Sequence, residues 1–297
     1  MPFRVNPDPA RTLMAALAQS RDQENRALEE ISSGRRVNTP SDDPAAAASL
    51  VQVSARLQQN DQFTRNISGL RAQLQVADST LSSATVVLTR AIALATQGAN
   101  GTLTQAERNA LAGEVNGLKQ QMLSLANLTF QGNYVFAGTK VNTPPYVLDP
   151  AQPSGVRYDG NANANSVEIA TGVSLPVNLP GSQIFSNSSA DAFQSLADLE
   201  NALRTNGNIA ATVTSVKNAF DNLSTQRVFY GNALNRLNAS ENFLSRESLE
   251  LSRQESDLAA ADLAETISAL TKAQNAHQAI LQAAGRATRL TLLDFLK

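Results

Sequence analysis

The chain has 297 residues, and its 24 Lys and Arg against 26 Asp and Glu leave a net charge of −2, which excludes a strongly basic nucleic-acid clamp or a polybasic membrane anchor. With no Cys and a single His, it has no material for thiolate catalysis, disulfide staples, a Cys-ligated metal or a His-rich metal site. Aromatic residues make up only 5%, with no Trp, a composition suited to long helices that bury Leu, Ile, Val and Ala.

At the N-terminus the apolar run Leu13 to Ala18 is too short for a signal-peptide core, and no stretch approaches the roughly 20 apolar residues of a membrane span. Export, if it occurs, is expected to use a route without a cleaved signal. Leu13, Leu17, Leu28 and Ile31 form the stripe of a terminal helix that Ser20 and Glu24 interrupt. Proline then draws the organisation, because within a helix it removes a hydrogen bond and clashes with the preceding turn. All eleven prolines fall at 2–9, at 40 and 44, or between 144 and 180. The predicted segments are 1–43, a terminal helix and turn; 44–139, rod helices and a β-hairpin; 140–190, a β insert; 191–258, further rod helices; and 259–297, a C-terminal helix.

A heptad starts the second segment. Counting alternately three and four from Leu50 to Ala95, nine of fourteen positions are apolar, which predicts one helix of roughly 70 Å at 1.5 Å per residue. Asp43 is placed to cap it, Pro44 suits its first position, and Asp42 lies near the positive end of its dipole. After Gly98 to Gly101, Thr104 and Glu107 form a capping box ahead of a helix bearing Leu111, Val115, Leu118, Met122 and Leu125. Asn133 to Phe136 reads as a strand. The insert is poor in charge, with strand-like runs at 166–169 and 173–175 and Asp159-Gly160 as a hairpin turn. Its low charge, turn-forming residues and peripheral position between rod helices predict few contacts with the assembly axis and tolerance of replacement.

From Ile209 to Leu258 the same count finds eleven of fifteen positions apolar, with Gly231 a candidate bend. The seam slips between Asp257 and Asp262, where one packing unit ends, then resumes as Leu263, Ile267, Leu270, Gln274, His277 and Leu281. Polar seam residues, namely Asn60, Thr64, Arg71 and Asp78 in the first block and Gln274 and His277 in the last, trade stability for register. The fold class is mainly α with an inserted small β domain, the N- and C-terminal helices forming a long helical rod or coiled coil. Terminal helices with such broken seams are marginal alone and are expected to order only against partners.

The chemical motifs are sparse. His277, by residue type the candidate general base near neutral pH, lies on a helix seam and reads as a packing residue. Residues 159–170 fail as a calcium loop, with Ala164 at the sixth position and Ala170 at the twelfth. Asn127-Leu128-Thr129 is a glycosylation triplet that needs a eukaryotic secretory route. With no phosphate loop, nucleophile elbow or zinc helix, no enzyme, cofactor or metal is expected.

Residues 31–46, Ile-Ser-Ser-Gly-Arg-Arg-Val-Asn-Thr-Pro-Ser-Asp-Asp-Pro-Ala-Ala, resemble the N-terminal signature of the bacterial flagellin family, and 254–297 resemble its C-terminal helix. PSDDPAA at 40–46, ANGTLTQAER at 99–108, NYVFAGTK at 133–140 and the ending LTLLDFLK are most similar to the branch that joins hook to filament. The resemblance implies a structural adaptor, with Ser33, Gly34, Arg35, Asp42, Asp43 and Pro44 as an assembly turn and the two terminal seams packing into an inner tube. It implies secretion to the extracellular flagellum by the flagellar type III route and a cytoplasmic export chaperone at the C-terminal region. The implied assembly partners are other copies in a ring, a hook-associated neighbour on the hook side, and flagellin or a further junction protein on the filament side. Neither nucleic acid nor membrane is expected as a partner. The alternatives are a flagellin that builds the filament itself and, more remotely, a coiled-coil signalling or tethering protein.

Overall fold

The computed structural model describes the backbone of residues 9–294 and the side chains of 11–285. The described elements run α1 (Pro9–Ser33), α2 (Pro44–Gly98), α3 (Gln105–Ala126), β1 (Thr129–Phe130), β2 (Asn133–Tyr134), β3 (Tyr146–Leu148), β4 (Val156–Tyr158), β5 (Ser166–Ala170), β6 (Val173–Pro176), α4 (Gly181–Ile184), β7 (Ser186–Asn187), β8 (Ala190–Asp191), α5 (Ala192–Thr205), α6 (Ile209–Ala259) and α7 (Leu263–Asp294). They are divided between two compact units, residues 60–246 and residues 1–59 with 247–297. The chain is mainly helical with a small β-rich insertion, as its periodicity predicts.

In the 60–246 unit, the heptad positions Ile67, Leu74, Leu81, Leu88 and Ala95 of α2 are buried. The buried face is wider than a two-helix seam, because Phe63, Leu70, Ala77, Ala84, Val87, Ala91 and Leu94 join the same core. That core also takes in Val115 and Met122 of α3, Leu196, Leu199 and Leu203 of α5, Val216, Leu223 and Leu237 of α6, and residues of the insertion. An 18-residue window of α2 reaches a mean hydropathy of 1.2, but half of it is buried, as expected of a core helix covered by protein. Thr104 and Glu107 form the predicted capping box: the Thr104 side chain accepts from Glu107 N–H, and Glu107 accepts from Thr104 N–H at 2.7 Å.

The polar seam residues of the two long helices meet one another. Arg71 on α2 donates to Glu241 and, at 3.0 Å, to Asn238 on α6, and Arg227 donates from Nε and Nη2 to Asp78 at 3.1 and 3.3 Å. Each ion pair matches one register of an antiparallel α2–α6 contact, and a slide by a helical turn would break both. Gly231 does not interrupt α6. The helix runs through it because Tyr230 and Ala233 are buried beside it, offsetting a propensity cost of about 1 kcal/mol.

Between α3 and α5 the chain forms four separate two-stranded antiparallel hairpins, β1–β2 before the insertion and three in it, and two expectations among them need correction. Only Asn133–Tyr134 of the 133–136 run is strand, closed onto β1 by Gln131-Gly132. Phe136 turns away, its carbonyl accepting from Gly181 N–H at 2.7 Å and from the Tyr158 hydroxyl at 3.1 Å. Asp159-Gly160 is not a hairpin turn either. Residues 149–155 close β3 on β4 and Thr171-Gly172 close β5 on β6, with Gly172 at φ +72°. At residue 160 a Cβ would run into the Tyr158 ring, so that glycine provides room for an aromatic side chain.

Nor is the insertion loosely attached. Tyr146 and Phe185 from it, Phe136 just before it and Phe193 of α5 are fully buried and form an aromatic cluster with ring centroids 4.9–6.3 Å apart. Tyr230 of α6, also fully buried, accepts a hydrogen bond at its hydroxyl from Leu179 N–H at 3.4 Å. The expected tolerance to replacement is therefore wrong for this unit: removing 140–190 would strip side chains from the core itself. Low charge and turn residues describe the hairpin tips and say nothing of their buried sides.

Candidate assembly site

The signature turn and the terminal helices lie in the other unit. Gly34 ends α1 in the left-handed conformation, φ +68°, with its N–H on the Glu30 carbonyl at 2.8 Å, a helix stop that a residue with a Cβ would strain. Ser33 Oγ accepts from Arg35 N–H at 3.1 Å and steadies the exit. The chain then runs antiparallel to the α6–α7 link: Arg36 N–H donates to Ala259 O at 2.7 Å and Ala261 N–H to Gly34 O at 3.0 Å. Two backbone bonds thus tie the connection of one terminal helix to that of the other.

Side chains reinforce the tie. Arg35 reaches Glu255 at 3.2 Å, and Arg36 bridges Asp43 at 3.2 Å and the Leu258 carbonyl at 3.1 Å. Read from sequence as a solvated basic pair, these arginines instead connect elements more than 200 residues apart. Each exposed pair contributes little alone. The Leu258 carbonyl belongs to the last turn of α6, where a guanidinium completes unsatisfied acceptors and favours the negative helix end.

The two aspartates divide the remaining work. Asp43 caps α2, accepting Ala46 N–H at 3.0 Å, and Pro44 occupies the first helical position. That backbone bond, then the bond from Arg36, hold the Asp43 carboxyl below the usual range. Asp42, expected to favour the positive end of the α2 dipole, has a further role in the turn before it. Its Oδ2 accepts Thr39 N–H at 2.8 Å and Asn38 N–H at 3.1 Å, closing the 38–42 turn, and the bond from Thr39 leads in lowering its pKa. Val37 is buried beneath this turn.

α1 and α7 pack on each other in antiparallel sense. Ser20 donates to the Ala273 carbonyl at 3.1 Å and Thr266 to Glu30 at 3.3 Å. The seam differs from the predicted one. Its buried members are Ser20, Ala27, Thr266 and Ala273, whereas Leu263, Ile267 and Leu281 are each about half exposed, Leu28 is exposed to 47%, and Gln274 is exposed. Leu13, Leu17, Ile31, Leu270 and His277 are partly covered, and the His277 Nδ1 is buried without a hydrogen-bond partner. Small residues let the helices approach closely and leave the larger apolar side chains on the flanks. The slip after Asp262 conceals this, since Asp262 caps α7 by accepting from Ala264 and Glu265 N–H at 2.9 and 3.2 Å, which resets the helix phase.

The remaining motifs have structural roles. Asn127 of the glycosylation triplet pairs through both amide atoms with the Tyr146 backbone at 2.7 and 2.9 Å. The calcium-like loop is occupied by its own bonds, Asp159 with Arg157 at 2.7 Å and Asn161 with Thr139 N–H at 2.8 Å. Among the described residues no group of His, Asp and Glu is arranged to hold a metal ion.

This arrangement, two terminal helices paired and tied through their linkers, coincides with known helical regions. Residues 8–141 match the bacterial flagellin N-terminal helical region and 213–296 the bacterial flagellin C-terminal helical region. The chain belongs to the bacterial flagellin family. It is 30% identical to flagellar hook-associated protein 3 of Escherichia coli (strain K12) over 295 residues, covering 91% of this chain and 92% of that one. Flagellin of Bacillus subtilis (strain 168) is 26% identical, covering 86% of each. Among solved structures, the flagellar junction protein FlgL from Legionella pneumophila matches 71% of this chain and all of its own with a TM-score of 0.62 at 16% identity, and FlgL from Xanthomonas campestris matches 69% with a TM-score of 0.61 at 18% identity. These two share the fold.

Proposed function

We propose that the protein is a non-catalytic structural adaptor of the bacterial flagellum that joins hook to filament. The observation that carries this reading is the similarity to hook-associated protein 3 across more than nine tenths of both chains, insertion included. It acts outside the cell, in contact with other flagellar axial proteins. Its mechanism is mechanical: paired long helices with registered ion pairs resist sliding, while the tied linkers aim α1 and α7 together.

The finer assignments extend the same reading. The 1–43 and 259–297 segments are the assembly ends, with Ser33, Gly34, Arg35, Asp42, Asp43 and Pro44 as the aiming turn. The exposed flanks of α1 and α7, Leu28, Leu263, Ile267 and Leu281, are the surface that neighbouring subunits cover in a ring. The subunit reaches its place by flagellar type III export, with a chaperone on the C-terminal region. Its neighbours are a hook-associated protein on the hook side and flagellin or a further junction protein on the filament side.

Deleting the gene and restoring it tests the adaptor reading: cells without it should build hooks and shed flagellin unassembled, and a normal filament in the deletion strain would refute it. A filament subunit is the second reading, favoured by the near full-length match to Bacillus subtilis flagellin. Purified subunits separate the two, since a filament protein polymerises into long fibres on its own and an adaptor does not.

A further inference from the structure

An open-sided groove of about 680 Å³ in the 60–246 unit lies between α2, the β1–β2 hairpin and the start of β5. Its floor is apolar, with Leu70, Val135 and Val177 buried. Six amide side chains line it: Asn66 and Asn178 are bonded within the protein, whereas the side chains of Gln73 from α2, Gln131 and Asn133 from the hairpin and Asn165 before β5 make no hydrogen bond to another described residue. Phe130 and Tyr134 add partly exposed aromatic surface. No carboxylate lines the groove, and its one charged residue, Arg65, is already bonded to Gln62 at 2.8 Å.

The hairpin tip supplies an independent observation. Gln131 and Gly132 have φ +51° and +83°, the signature of a two-residue type I′ turn, whose first position favours Asn, Asp or Gly. Gln131 is one of only two non-glycine residues with positive φ among those described; the other, Asn206, is a helix C-cap with a conventional reason to be there. A strained residue that faces a groove with an unused amide is a feature that folding alone does not call for.

We propose that this groove binds a neutral oligosaccharide. Amides donate and accept at once and so match sugar hydroxyls, which do the same, while aromatic surface covers the apolar C–H faces of the rings. An anion would call for more than one free cation, and a metal ion would call for carboxylates. The volume falls within the range of small-ligand sites and accommodates about two or three sugar rings. The proposal is independent of the adaptor reading, since the groove lies on helices and hairpins whose packing is complete without it.

The test is NMR on the ¹⁵N-labelled full chain, titrated separately with maltotriose, with N-acetylchitotriose and with a blocked trialanine peptide. Saturating shifts of the Gln73, Gln131, Asn133 and Asn165 side-chain amides with at least one trisaccharide, at a Kd of about 1 mM, are expected. Gln131→Gly removes the amide and relaxes the turn, so it should weaken binding about tenfold without lowering the melting midpoint. Absence of saturation with both sugars would overturn the proposal. So would an equal or stronger response to the peptide, which would make the groove a peptide site, or undiminished sugar binding by the Gln131→Gly protein.

Discussion

The ion pairs between α2 and α6 offer a direct way to ask whether polar seam residues set register. In Arg71→Glu, two carboxylates replace a matched pair at the position where Arg71 now meets Glu241 and Asn238. These side chains are 28% and 34% exposed, so the effective dielectric lies between those of protein and water. At a separation of about 4 Å the repulsion is then about 1–4 kcal/mol, added to a lost attraction of about 0.5–1 kcal/mol. Restoring opposite charges with Glu241→Arg should recover most of the loss, and Asp78→Arg with Arg227→Asp should behave likewise. Urea unfolding of each single and double variant reads the coupling, which contact across the seam predicts to be about 0.5–3 kcal/mol. Additive losses, with no recovery on reversal, would show that these residues do not meet in solution and would refute the register argument.

Leu81→Ala, at a fully buried seam position, should destabilise the 60–246 unit by about 2–5 kcal/mol in the same assay, whereas Val86→Ala, at an exposed position on the same helix, should change it little. Asp42 and Asp43 have folded pKa values lowered by hydrogen bonds, so their stabilisation is fully present above the unfolded carboxyl value near 3.9 and is lost as pH falls through the lower folded values. A carboxyl-carbon NMR titration should find both midpoints below about 3.9, and ordinary midpoints would contradict the turn geometry. Replacing 140–190 by a Gly/Ser linker should abolish cooperative unfolding of the unit, measured by calorimetry, because Tyr146, Ile169, Leu175 and Phe185 leave the core. In free monomer, amides of α1 and α7 should exchange faster than those of α2 at 67–95, since few large side chains are buried between the terminal helices; equal protection would show the pair to be stable without neighbours.

Periodicity made the long helices legible because a core-facing stripe repeats many times and each repeat reinforces the last. The capping box at Thr104 and the Asp43 cap were legible for a different reason: they are local, and their donors lie three residues away. Long-range partners left no such trace. Nothing near Arg36 in sequence announces the Leu258 carbonyl, and nothing near Asn127 announces the backbone of Tyr146. Short hairpins misled for a related reason. Asp-Gly is a turn signal by conformational preference, but at Gly160 the requirement was space for the Tyr158 ring, which depends on a tertiary contact. In α7 the large apolar residues marked a seam by hydrophobicity, while the close contact runs through Thr266 and Ala273 because small side chains allow the helices to approach.

As the proposed adaptor, this chain should sit at one place, between hook and filament. An electron cryo-microscopy map of intact flagella, centred on the hook–filament boundary of cells carrying an epitope insertion at the exposed 188–189 turn, shows where it sits. Label and matching helical density are expected to be confined to a band at that boundary, with α1 and α7 innermost. Label repeated along the whole filament, or absent from the boundary, would contradict it.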